Sequence, residues 1–98
     1  MERASLILSV NRALWGEVGP NLRAVTAGSD GKTIRLRFFI DGEPSERDRE
    51  SAGRVGAEVI ADFPTCDLVE EEVVRINAPE RIPWDDQWLT IFERREPP

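Results

Sequence analysis

Two apolar-rich runs, Leu22–Ala27 and Thr33–Ile40, flank the polar segment Ser29-Asp30-Gly31-Lys32 and form the clearest pattern in the chain. Apolar and polar residues alternate along both runs, which predicts a β-hairpin. Asp-Gly suits a two-residue type I′ turn, in which both central residues take positive φ. With Asp30 and Gly31 as the loop, Ala27 faces Ile34, Val25 faces Leu36 and Arg23 faces Phe38 on one side of the sheet. On the other side Thr26 faces Arg35, Ala24 faces Arg37 and Leu22 faces Phe39. The first face reads as core. The second reads as a charged surface with one large aromatic, Phe39, left on it.

A helical period over residues 3 to 15 places Leu6, Val10, Ala13 and Leu14 on one side, with Ile7 alongside. Gly16 is the expected stop, Pro20 lies in the connection, and Trp15 is placed over the sheet edge. After the hairpin, the turn cluster Asp41-Gly42-Glu43-Pro44 leads into a second helix. Ser45 followed by Asp48 resembles a capping box, with Asp in place of the usual Glu or Gln. Ala52, Val55, Gly56, Val59, Ile60 and Phe63 then form one apolar stripe, and Pro64 ends it. Gly53 and Gly56 each cost about 1 kcal/mol of helix stability relative to Ala. A close approach of this helix to the sheet would account for them.

Cys66 to Ile76 reads as a third strand of confused phase. Leu68, Val74 and Ile76 share one parity and Val69 and Val73 the other, so a bulge is expected between Glu70 and Val73. Ala78 to Asp86, with Pro79 and Pro83, is a loop, and Gln87 to Arg94 is the last strand, with Leu89 and Ile91 opposed to Trp88, Thr90 and Phe92. The order α-β-β-α-β-β predicts an α+β two-layer sandwich: a four-stranded, mainly antiparallel sheet with both helices on one face. The other face then meets solvent or a partner. Residues 1–98 make one domain, ordered over about 3–94, with 95–98 a tail ending in two prolines.

Composition narrows the function classes. The net charge of −6 argues against nucleic acid, because phosphate binding needs a basic face, and favours docking to a basic protein. Cys66 is the sole cysteine, which points to a cytoplasmic chain without an intrachain disulfide and to a small buried side chain rather than a nucleophile. No apolar run has the length of a membrane span, and Leu6-Ile7-Leu8 is too short for a signal peptide. The absence of histidine removes the commonest general base, the Ser-His and Cys-His pairs and most zinc sites. There is no phosphate-binding glycine loop, and no Asp-rich loop offers the roughly six oxygens a hard cation needs. No cofactor, metal or catalytic residue is expected.

Two acidic clusters remain, Glu70-Glu71-Glu72 and Asp85-Asp86. Along a strand Glu70 and Glu72 share a face and Glu71 takes the other. They read as solvated strand and loop residues in preference to an acid/base pair. Arg35 and Arg37 on the second sheet face are expected to pair with neighbouring glutamates. Trp84 and Trp88 either gather at that face with Phe92, Phe39 and Leu22 as interface anchors, or seal the sheet edge beneath the proline loop, or are joined by Trp15 around the end of the first helix.

Three stretches carry a family resemblance: Asn11 to Val25 (NRALWGEVGPNLRAV), Leu36 to Ser45 (LRFFIDGEPS) and Glu58 to Pro64 (EVIADFP). Over roughly residues 10 to 76 the chain resembles small stand-alone bacterial proteins grouped with immunity proteins of the contact-dependent growth inhibition and colicin type. The resemblance implies a cytoplasmic, non-enzymatic protein that binds a toxin domain and blocks it, and it brings no catalytic residue. Charge complementarity then favours a basic toxin domain as partner. The expected contact residues are Glu70, Glu71, Glu72, Trp84, Asp85, Asp86, Trp88 and Phe39. The rival readings are a structural or regulatory homodimer joined through the open face or a strand edge, and a carboxylate-dependent enzyme.

Overall fold

The computed structural model describes residues 1–97. Its elements are α1 (Arg3–Ala13), β1 (Leu22–Ser29), β2 (Thr33–Ile40), α2 (Glu46–Asp62), β3 (Leu68–Arg75) and β4 (Leu89–Glu93). The strands form one sheet in the order β3-β2-β1-β4. β1 runs antiparallel to β2 and β4, and β2 runs parallel to β3. The fold is α+β in the expected element order, with a mixed sheet. The parallel pair arises because α2 carries the chain back along the sheet before β3 begins.

Both helices cover one face. Leu6, Val10, Ala13 and Leu14 of the α1 segment and Ala52, Val55 and Val59 of α2 enclose Val25, Ala27, Ile34, Leu36 and Phe38. Burial of each large apolar side chain is worth about 1.5–3 kcal/mol, so this cluster is the main stabilising mass. The capping box on α2 forms in full: Ser45 Oγ accepts from Asp48 N at 3.0 Å, and Asp48 Oδ2 accepts from Ser45 N at 2.8 Å. Asp therefore performs the reciprocal role usually taken by Glu.

The hairpin turn differs from the expected one. Asp30 N donates to Thr33 O at 3.3 Å, so the two loop residues are Gly31 and Lys32. Positive φ occurs at Gly31 (+94°) and, among the described residues, at no non-glycine residue, the pattern of a type II′ turn. Asp30 serves instead as a local acceptor, its Oδ1 taking the N–H groups of Lys32 and Thr33. Ala27 therefore pairs with Leu36 and Val25 with Phe38, two residues away from the expected register. A shift of two preserves parity, so the faces of these residues survive the error.

Bulges change faces elsewhere. An irregularity between Leu22 and Ala24 moves Leu22 into the helix-side core and sends Arg23 to the second face, reversing both expectations. A second bulge, between the Val25–Phe92 and Thr26–Thr90 pairs, lets Leu89, Ile91 and Phe92 all pack against the helix-side cluster. Phe92 thus does not join the tryptophans. The bulge expected in β3 is absent: the register runs evenly from Thr33–Leu68 to Ile40–Arg75. None is needed, because Val74 and Ile76 find apolar company on the second face. There Ala24, Phe39 and Ile82 form a smaller buried cluster against which they pack.

The second face is therefore only half open. The proline loop folds back over it and buries Ile82 on Phe39, which is 1% exposed. Trp15 was placed over the sheet edge but is 81% exposed. Leu14 takes the core position at the end of α1, and Gly16, at φ +81°, turns the chain away directly after Trp15.

Residues 95–98, read as a tail, include a firmly held carboxylate. Glu96 accepts from Arg23 Nε at 2.7 Å, Arg23 Nη2 at 2.8 Å and Arg94 Nε at 2.9 Å. Arg94 also reaches Asp41 Oδ2 and the Pro20 carbonyl. Pro98 lies outside the described residues.

A candidate protein-binding face

The open half of the second face is built from alternate residues of three strands. β2 presents Arg35 and Arg37, and β3 presents Glu70 and Glu72 opposite them in the parallel register. Arg35 Nε lies 3.5 Å from Glu70 Oε2, and Arg37 Nε lies 3.8 Å from Glu72 Oε1. These cross-strand pairs match expectation and, being exposed, contribute about 0.2–1 kcal/mol each. The Arg37 guanidinium also sits 4.0 Å from the centre of the Trp88 ring. Such a cation–π contact is worth about 0.5–1 kcal/mol at an exposed site. Trp88 in turn lies flat on Gly28 of β1, where a Cβ would stand 3.3 Å from the ring. A glycine within a strand often marks such a close approach, and that was the available signal for this contact. Arg35, Leu36, Arg37, Glu70, Glu72 and Trp88 line a shallow recess of about 190 Å³.

The expected contact residues do not form one patch. Glu70, Glu72 and Trp88 are gathered around the two arginines. Glu71, one residue out of phase, points to the α2 side of the sheet. Its Oε1 would lie 1.7 Å from a Cβ at Gly56, so the carboxylate occupies the space that glycine leaves. The close helix approach inferred from the glycines is thus seen at Gly56, whereas Gly53 has open space beside it. Loss of water around Glu71 raises its pKa above the ordinary value.

Trp84, 44% exposed, borders a separate recess of about 460 Å³ with Arg23, Pro79, Ile82, Glu93 and Glu96. Asp85 shapes the approach to β4, its Oδ1 accepting from Gln87 N at 2.9 Å and its carbonyl from Trp88 N at 3.0 Å. Asp86 lines a recess with Met1, Arg3 and Leu6 beside the far end of β1. Asp85 and Asp86 thus lie toward the β4 side and Glu70 to Glu72 on the β3 edge, with β1 and β2 between them. Phe39 is core, covered by the chain's own loop, and does not face a partner.

Among the described residues, no group of three or more His, Cys, Asp or Glu side chains is arranged to hold a metal ion. Cys66 is buried near the Gly31 carbonyl, at 3.8 Å. No helix of the described residues is long and apolar enough to cross a membrane. What the face offers is alternating charge, a stacked tryptophan and an acidic strand edge.

Comparison with known proteins places the chain in a family. No curated protein matches the chain. The family model for MafI2 immunity proteins, however, matches residues 3–96, which takes in every helix and strand described above. The chain belongs to the MafI2 immunity protein family.

Proposed function

We propose that this chain is a cytoplasmic, non-enzymatic immunity protein that binds a bacterial toxin domain and neutralises it. The observation that carries this reading is the family match over residues 3–96. Supporting it are the net charge of −6, which favours encounter with a basic partner, and the exposed glutamates and half-buried tryptophan of the sheet face. A basic nuclease-like cleft is the partner chemistry that this charge suits best. The burial of Phe39 under the chain's own loop removes the exposed aromatic that favoured a homodimer through the sheet face.

The test is to seek a toxin domain encoded beside this chain's gene and to co-express the two, followed by calorimetry of the purified proteins. Protection of growth together with a stoichiometric complex is the expected result. Protection without any complex, or turnover of a toxin substrate by this chain alone, would contradict the reading.

A further inference from the structure

We propose that the free edge of β3 is a strand-pairing site for a basic segment of the toxin, which joins the sheet as a fifth strand. This rests on the immunity reading above and names the surface through which it works.

β3 is the outermost strand and, among the described residues, pairs with β2 alone. Its outer row of backbone donors and acceptors is therefore open to another chain. Sheet edges are commonly blunted by short length, proline, a bulge or charged side chains, inward-pointing ones included, which discourage pairing with like strands. β3 is eight residues long, holds an even register throughout, and contains neither proline nor lysine between Leu68 and Arg75. What it carries is Glu70-Glu71-Glu72 at its centre.

That triplet selects the occupant. A second copy paired in register at this edge would set glutamates against glutamates, and like charges directly opposite are destabilising. A strand with lysine or arginine at its centre meets the reverse situation. Glu71 has no ion-pair partner among the described residues, and Glu70 and Glu72 are held only at 3.5 and 3.8 Å by their arginines. A basic residue opposite Glu71 would lie on the α2 side, while its two neighbours would meet Glu70 and Glu72 on the other face. Apolar residues toward the ends of the incoming strand would extend Val69 and Val73 on one face and the exposed Leu68 on the other. Main-chain bonds then supply affinity and the charges supply choice of partner.

Hydrogen exchange followed by NMR, on the chain alone and with the co-encoded toxin domain, tests this. In the complex, alternate amides within Leu68–Arg75 that exchange freely in the chain alone should become protected. Glu71→Gln should weaken the complex roughly tenfold, the size of one lost charge pair at about 1.4 kcal/mol, without lowering the melting temperature. If the toxin binds but the β3 amides exchange unchanged, or Glu71→Gln binds as tightly as wild type, strand pairing is wrong and the immunity reading stands. If those amides are protected by self-association at high concentration without toxin, the occupant is a second copy and the proposal fails. If the toxin does not bind at all, the immunity reading itself falls.

Discussion

Gly56 and Glu71 share one volume: the carboxylate lies where a helix Cβ would be. Gly56→Ala gains about 1 kcal/mol of helix propensity but forces the Glu71 side chain to swing aside. The two effects oppose, so the single substitution should be close to neutral or destabilising. In a Glu71→Ala background the same substitution should stabilise by about 1 kcal/mol, and urea melts of the four proteins in this cycle measure the coupling. Equal effects in both backgrounds would mean the contact is absent in solution. The pH dependence has a definite sign. Glu71 has a raised folded pKa, so its ionised form costs stability, and that cost vanishes as pH falls through the folded value. Glu71→Gln should therefore raise the melting temperature at neutral pH, with the gain shrinking in acid. Glu96 behaves oppositely. Hydrogen bonds from Arg23, seconded by Arg94, bring its pKa down to about 2 from an ordinary 4.5. Its contribution is present above about 4.5 and is lost as pH falls toward 2. Melts from pH 5 down to about 2 should accordingly fall less steeply in Glu96→Gln than in wild type.

At the scale of elements, local chemistry was legible wherever neighbours in sequence decide the outcome. The α2 stripe and its Ser45–Asp48 cap and the hairpin faces from Ala24 onward were readable from side-chain period and turn residues, whereas α1 stops at Ala13, short of the expected residue 15. Asp30-Gly31 announced a turn but not which pair of residues it uses. Asp30 is equally able to stand just before the loop and accept the backbone N–H groups of Lys32 and Thr33, and that arrangement is the one formed. The bulges at Arg23 and Ile91 were not readable, because each depends on a partner far along the chain: Arg23 on Glu96, and Ile91 on the α1 side of the core. Glycine at 31 with φ +94° is the position where a side chain would be strained. Gly31→Ala should cost about 1–2 kcal/mol by the left-handed backbone penalty, and a denaturant melt reads it directly. An unchanged midpoint would mean that the turn rearranges to the other loop.

The apolar face of α2 can be tested at the same scale. Val59 is fully buried, so Val59→Asp places an unpaired carboxylate in the core at a cost of several kcal/mol, comparable with the whole stability of a protein this size. Loss of the cooperative transition in circular dichroism is the expected result. A transition at the wild-type midpoint would mean the side chain is not core.

At the scale of the whole molecule, the sheet has one face closed by helices and the other half closed by the proline loop. The missing piece in the sequence was that loop. Nothing in the spacing of Pro79 and Pro83 reveals that Ile82 will cover Phe39, so an aromatic on the second face read as a vacancy for a partner. For the same reason the expected contact set separates into a β3 cluster, a Trp84 recess and a loop-shaping Asp85. The surviving contiguous surface runs from Trp88 across Arg37 and Arg35 to the glutamates of β3. Its exposed ion pairs add little to stability, so under the proposed reading charge reversal there should change association far more than folding.

One measurement tests toxin binding through this acidic surface most directly: the affinity and association rate for the co-encoded toxin domain at low and at elevated salt. Charges more than about 8 Å apart are screened at physiological ionic strength, so the association rate should fall first as salt rises. Glu70→Lys combined with Glu72→Lys should weaken the complex further while leaving the melting temperature nearly unchanged, and Asp86→Lys, at the other side of the sheet, should have a much smaller effect. Absence of a complex, or binding indifferent both to salt and to the two β3 substitutions, would contradict it.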